Sequence, residues 1–313
     1  MKKLTLVLIA LVSLLIPLHV GASGILLDAE GKVAITIAGK SSVNAVSGLE
    51  LPDGSVIDVG NGAKASVLLE SGAVDEIASK TKYTVGATKA SSKRTDFGNG
   101  ITLAMRELAA SGEGAAVHGM VKKAEGPKDM HINFGALGGT GFRGTYPVDT
   151  TVRLKNNIEF RWSRPVDYSN PLIIIDDAQK RHLSESPIKA GASLILTSPG
   201  ALRLTKGNVY SWYLATKEGE SIRGKTTRYK FTTLSAADEK TLDIDIAKVN
   251  ALSMSSAGKD LLVAQFYFQR GLIDDMVKTL LPLYQKQPSP FVKQLLFLGY
   301  SRMGNVEEME KYR

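Results

Sequence analysis

Apolar and polar positions alternate in short runs over the first two thirds of the chain, then change period. Val33-Ala34-Ile35-Thr36-Ile37, Ser55-Val56-Ile57-Asp58-Val59, Ala65-Ser66-Val67-Leu68-Leu69 and Tyr83-Thr84-Val85 are β-like segments. Turn signals at Glu30-Gly31, Pro52-Asp53-Gly54, Asn61-Gly62 and Ser71-Gly72 precede or separate them. Runs this short with turns this frequent predict an all-β sandwich or a solenoid-like β module. Ser91 to Gly100 reads as a mobile turn, and Ile101 to Leu108 as either a strand or a helical turn. From Thr150 to Leu234 the pattern stays β but the spacing changes. Ile158-Glu159-Phe160-Arg161-Trp162 alternates, which places Ile158, Phe160 and Trp162 on one face of a strand. Leu172 to Ile175 is a short apolar strand closed by Asp176-Asp177, and Ser193 to Leu196, Tyr210 to Leu214 and Arg228 to Phe231 follow. This second stretch suits an immunoglobulin-like or fibronectin-type sandwich. Trp162 and Trp212 read as its core aromatics, with a sugar-stacking surface as the alternative.

From Ser235 onward the apolar period is helical. Ser235 or Asp238 can cap a helix running through Ile244 and Val249. Leu261 to Gly271 predicts a second helix, and Leu272 to Gln285 a partner kinked at Pro282 and ended by Pro288 and Pro290. Phe291 to Met303 then repeats the second helix, and Asn305 to Tyr312 begins another partner. Tyr267-x-x-x-Gly271 matches Tyr300-x-x-x-Gly304 at an offset of 33 residues, beside the period of about 34 of a tetratricopeptide repeat. Ala264 precedes Tyr267 where that repeat takes a small residue, while Phe297 stands at the matching place of the second copy. The region resembles one and a half such repeats; an ordinary helical hairpin in a chance register is the alternative.

The N-terminus carries a different signal. Lys2 and Lys3 precede an apolar run from Leu4 to Leu15, Pro17 breaks it, and Val20-Gly21-Ala22 supplies small or modest side chains. That order reads as a cleavable secretory signal peptide over residues 1–22, cut between Ala22 and Ser23. A retained anchor is the alternative; Leu4 to Val20 is at the short limit for crossing a bilayer. Removal leaves 291 residues without another apolar run of membrane length, hence no membrane span after cleavage.

Composition narrows the class. The chain has no cysteine, which excludes disulfides, thiolate metal sites and cysteine nucleophiles. An exported protein of this size without disulfides points to a bacterial envelope, periplasmic or secreted. The net charge is +8, of which Lys2 and Lys3 contribute two. The remaining basic residues are scattered rather than clustered, so no nucleic-acid partner is expected.

No motif reaches the threshold for catalysis. Gly139-Thr140-Gly141-Phe142-Arg143-Gly144 matches a dinucleotide-binding string, but Thr145-Tyr146-Pro147-Val148 follows where a helix would have to begin. Gly224-Lys225-Thr226 resembles the end of a phosphate loop, but Gly219 leads into β-like sequence. His118, His131 and His182 have no helical partner histidine. Asp176-Asp177 are neighbours in a strand and point to opposite faces. No catalytic, cofactor or metal residue is assigned, and the chain is expected not to be an enzyme.

In the first β stretch Gly31-Lys32-Val33, Leu51-Pro52-Asp53-Gly54-Ser55-Val56-Ile57 and Gly60-Asn61-Gly62-Ala63-Lys64-Ala65-Ser66-Val67-Leu68-Leu69 follow one another, with Gly72 and Tyr83-Thr84-Val85 after them. In this order the stretch resembles the FecR family of bacterial envelope domains. Phe142-Arg143-Gly144-Thr145-Tyr146 resembles its closing arginine-glycine-threonine-aromatic element, which would return as the last strand of the module. Asp53, Gly54, Gly60, Gly62, Gly72, Arg143, Gly144 and Thr145 carry the resemblance. It departs at Ala73-Val74-Asp75, in place of a cleaner strand, and over the additional sequence from Ser91 to Gly135. The resemblance implies an extracytoplasmic interaction domain; well-known members are transmembrane signalling regulators, which need a cytoplasmic segment before their span, whereas only Met1, Lys2 and Lys3 precede the apolar run here.

The expected architecture is mainly β with an all-α C-terminal region: signal peptide 1–22, FecR-like β domain 23–149, immunoglobulin-like sandwich 150–234 and helical repeat tail 235–313. The expected function is a noncatalytic envelope-associated scaffold without a cofactor, acting on other envelope proteins. Peptidoglycan or glycan binding, motivated by Tyr146, Tyr168 and Tyr213, and a FecR-type signalling sensor are the alternatives.

Overall fold

The computed structural model describes residues 22–38, 42–87, 92–97, 144–155, 157–162, 171–189, 194–218 and 221–313. The chain is mostly β, with a helical region at its C-terminal end.

Strands β1 (Ala22–Glu30), β2 (Val33–Thr36), β3 (Ser42–Val43), β4 (Glu50–Pro52), β5 (Val56–Val59), β6 (Lys64–Leu69), β7 (Ala73–Ile77), β8 (Thr81–Thr84) and β9 (Ser92–Asp96) form two antiparallel sheets. One runs β4-β1-β6-β7-β9 and the other β3-β2-β5-β8. Leu26, Leu51, Val67 and Ile77 of the first sheet meet Ile35, Ile57, Val59 and Tyr83 of the second in a shared core. Asp75 ties the sheets together. It is fully buried, accepts from the Tyr83 hydroxyl at 2.9 Å and takes both arms of Arg94 at 2.7 Å. Burial and the neighbouring carboxylate hold the Tyr83 hydroxyl well above its usual pKa.

Two expectations change here. Ser92–Asp96 is a strand rather than a mobile turn, paired residue by residue from Ile77↔Ser92 to Ala73↔Asp96. Its polar sequence hides it, because its anchor is the Arg94–Asp75 ion pair and not an apolar face. Ala73-Val74-Asp75 lies inside β7, a regular strand.

The second sandwich contains β10 (Gly144–Tyr146), β11 (Thr150–Val152), β12 (Ile158–Trp162), β13 (Pro171–Asp177), β14 (His182–Pro187), β15 (Leu194–Thr197), β16 (Val209–Glu218), β17 (Ser221–Lys225) and β18 (Tyr229–Thr233). Its sheets run β10-β12-β15 and β11-β18-β16-β13-β14, with β17 beside β16. Phe160 is buried between Trp212 and Phe231, edge-on to both at 5.4 and 6.0 Å. Edge-to-face packing places positive ring edges on negative faces. The Trp212 indole N–H donates to the Pro147 carbonyl at 2.6 Å. Both tryptophans are buried core residues, so the sugar-stacking alternative does not hold for them.

The Gly144-Thr145-Tyr146 element corrects the expected closure of the first module. Gly144 pairs with Trp162 and Tyr146 with Arg161, so the segment opens the second sandwich instead. After Pro147 the chain crosses to the other sheet, where β11 runs parallel to β18. Packing explains the glycine: a Cβ at Gly144 would lie 2.6 Å from Tyr229 and 2.9 Å from Trp212. Arg143, like Gly139 to Gly141, lies outside the described residues.

Five helices follow: α1 (Ala236–Asn250), α2 (Ser256–Gln269), α3 (Ile273–Lys286), α4 (Pro290–Arg302) and α5 (Val306–Glu310). Ser235 caps α1, Ser255 caps α2 and Ser289 caps α4, each accepting from a backbone N–H three residues on. Pro282 is accommodated within α3, which continues to Lys286, and Pro290 starts α4 rather than ending α3. A helix apolar on all sides is one buried on all sides. Helix α2 fits this, with Leu261, Leu262, Ala264, Phe266 and Phe268 buried around its circumference.

Candidate functional site: the junctions between helices and sandwiches

The residues expected to matter fall into two groups. Those carrying the FecR resemblance build turns. Gly54, Gly62 and Gly72 have positive φ, and Asp53 packs against Gly86. The Gly62 N–H donates to the Ser79 hydroxyl at 2.8 Å, which in turn donates to the Gly60 carbonyl at 3.1 Å. Ala22 and Ser23 lie at the start of β1. These positions are not gathered around one cleft.

The repeat-turn residues are organised differently. Leu272 N–H reaches the Tyr267 carbonyl at 2.9 Å, and Gly271 N–H reaches Phe268 at 3.0 Å. The same two bonds recur 33 residues later, Asn305 to Tyr300 at 2.9 Å and Gly304 to Ser301 at 3.0 Å. Both are Schellman caps, and both glycines take φ near +65°, at 69° and 66°. Ala264 is fully buried. The first turn is also a docking point: the Gly271 carbonyl accepts from the Thr150 hydroxyl at 2.7 Å and the Thr151 N–H at 2.9 Å.

Gly271 is one of several contacts that bind the helices to both sandwiches. At the first sandwich, Ile25, Leu27, Leu68 and Val74 share one apolar cluster with the helices. β1 is bulged between Leu26 and Asp28. The Asp28 carboxylate there accepts from the Ser255 N–H at 2.8 Å and the Ser255 hydroxyl at 2.7 Å, completing the α2 cap. Glu76 accepts from the Ser253 N–H. Phe97 meets Phe266 at 5.5 Å, and Phe291 lies directly on Gly48.

At the second sandwich the same apolar cluster continues through Val152, Ile158 and Leu234, and ion pairs are added to it. Arg161 pairs with Glu159 at 2.5 Å and Asp274 at 2.7 Å, and Lys278 pairs with Asp274 at 2.6 Å. Tyr146 lies beneath the Arg161 guanidinium at 5.1 Å, and burial raises its hydroxyl pKa well above the usual value. Burial, reinforced by the Asp274 charge, raises the Asp275 carboxyl. On the opposite flank Arg153 and Lys155, just after β11, meet Asp243 at 3.0 and 2.7 Å. Buried Glu239 pairs with Lys206. The hydrogen bond from Lys155 holds the Asp243 carboxyl below its usual range. An open cavity of about 510 Å³ lies here, bordered by Lys155, Lys206, Glu239, Lys240, Asp243 and Ile244.

Two of the three aromatic groups expected to contact sugars are covered by packing. Tyr146 and Tyr213 are buried at 7% and 5% exposure, and Tyr168 lies outside the described residues. Asp177 closes its strand in a turn, accepting from the Gln179 and Arg181 N–H groups, while Asp176 is buried against Arg228. His182 lies on β14 between Asp176 and Glu185, and Gly224 and Lys225 lie in a strand. The sequence reading missed Asp28, Glu76 and Glu239 as junction residues. Their partners are distant in the chain, and no local pattern announces such pairs.

No family model matches the chain, and no curated protein matches it. Among solved structures it is similar to CopC from Methylosinus trichosporium OB3b, at 15% identity and a TM-score of 0.21, over 30% of this chain and 90% of that one. It is similar to β-1,2-glucanase from Parabacteroides distasonis at 10% identity and a TM-score of 0.21, over 55% of this chain and 34% of the glucanase. It is also similar to the FN1–FN3 domains of chicken CNTN1, at 5% identity and a TM-score of 0.20, over 70% of this chain and 58% of that one.

Proposed function

We propose that this protein is an exported, noncatalytic scaffold of the bacterial envelope that acts through protein–protein contacts. The observation that carries the reading is the double docking of the helical region. Helix α2 and its neighbours pack on the first sandwich, while the Gly271 turn, α1 and α3 hold the second. Such an arrangement keeps the outward surfaces of both sandwiches at a fixed spacing, as a scaffold requires. The conspicuous charges at the junctions pair with one another, which suits a holding role. Export is supported by the basic, then apolar, then small-residue order of residues 2–22.

The test places a photo-crosslinking residue in the full-length chain at Lys240 or Ile244 on α1, and separately at Asp58 on β5. Discrete protein adducts from intact cells at one or more sites are expected. Retention on purified cell wall at low and high salt, with no protein adduct at any site, would overturn the reading in favour of glycan binding. Removing everything after Leu234 is a poor test, because it would expose the apolar face formed by Ile25, Leu27, Leu68 and Val74.

A further inference from the structure

Strand β15 is an edge of its sheet: β12 covers one side, and no described strand pairs with the other. Edge strands in native proteins are ordinarily guarded by charges, prolines or bulges. β15 reads Leu194-Ile195-Leu196-Thr197, with none of these. Leu194 and Leu196 are 45% and 58% exposed and lie on the outer face of the sheet. Leu196 is opposite Glu159 and Leu194 opposite Arg161.

We propose that β15 pairs antiparallel with β15 of a second copy of this chain, joining two three-stranded sheets into one of six strands about a two-fold axis at Ile195. Two features select a second copy. The segment is symmetric about Ile195, so the axis sets Leu194 against Leu196 of the other copy and clusters all four leucines on one face. The flanking charges are complementary under the same operation. Each row across the joined outer face runs Glu159, Leu196, Leu194 of the other copy, Arg161 of the other copy, so no row carries like charges at its ends. Glu159 and Arg161 are themselves held by Lys278 and Asp274 of α3, so the face is fixed before pairing. The contact is small beside the roughly 1,200–2,000 Å² of a stable interface. The dimer is therefore weak. Pairing at β15 does not depend on the scaffold role and would hold for a protein with any other activity.

The experiment is sedimentation equilibrium on the full chain from about 10 µM to about 1 mM, beside Leu196→Lys. The average mass of the parent should rise toward twice the monomer, and that of L196K should stay at one. Register is tested by disulfide trapping, which the absence of native cysteine makes clean. A mixture of Leu194→Cys and Leu196→Cys should form covalent dimers about tenfold faster than either variant alone, because only the mixture sets the two thiols directly opposite. Both side chains are substantially exposed, so the fold should tolerate the changes. A concentration-independent mass, unchanged association of L196K, or equal trapping in mixture and single variants would each overturn the proposal.

Discussion

The helical region meets the two sandwiches by different chemistry. Against the first it buries an apolar face, with one carboxylate, Asp28, completing a helix cap. Against the second the apolar cluster continues, and ion pairs and a backbone turn gripped by Thr150 and Thr151 are added to it. Apolar burial is not weakened by ionic screening, whereas partly exposed ion pairs are. The apolar cluster should therefore set the strength of both junctions, and the added ion pairs the second junction's response to salt and pH.

The largest effect is expected from Phe291→Ala. Phe291 is buried against Gly48, and deleting it should cost about 3–5 kcal/mol in chemical denaturation. A loss below about 1 kcal/mol would mean that apolar burial at the first junction contributes little to the strength of the assembly. Asp28→Ala removes acceptors from both groups of Ser255 and should cost about 2–3 kcal/mol. Asp28→Asn, which keeps one carbonyl acceptor, should recover part of that loss.

Gln265→Leu should act in the opposite direction. Gln265 is fully buried in α2, and neither atom of its amide has a hydrogen-bond partner among the described residues. Replacing it with an apolar side chain of similar volume should raise stability by about 1–2 kcal/mol. No gain would point to a buried water satisfying the amide.

The smallest effects should distinguish the ionic junction. Arg161→Gln should cost about 1 kcal/mol at low salt and less at high salt, since the group is partly exposed. Phe291→Ala should show no such salt dependence. Two aspartates at this junction should respond oppositely to pH. The folded pKa of Asp243 is lowered, so its contribution is full above the ordinary aspartate value of about 3.9 and is lost as pH falls through the lower folded value. The folded pKa of Asp275 is raised, so its ionisation opposes folding as pH rises through the ordinary value and beyond the folded one. Asp275→Asn should therefore stabilise at neutral pH and Asp243→Asn destabilise, with both differences shrinking in acid.

Much of the fold was legible because it follows local period. Ile158, Phe160 and Trp162 alternate and are buried together, and the Tyr267–Gly271 and Tyr300–Gly304 spacing coincides with two identical caps. What was not legible depends on partners far along the chain. Three residues from Gly144 to Tyr146 carry too little pattern to reveal which sheet they join. Ser92–Asp96 has no apolar stripe, and the pairing of Asp28 with Ser255 spans 227 residues. Tyr146 and Tyr213 have the chemistry of an exposed binding surface, and only tertiary packing reveals that they are covered.

Helices docked on both sandwiches should hold them at one fixed separation. The direct measurement is the distance distribution between spin labels at Asp58→Cys on the first sandwich and Lys189→Cys on the second, in the full chain, which has no other cysteine. A single narrow distribution, broadening when Phe291→Ala is added, is expected. A broad distribution in the parent chain would contradict the account.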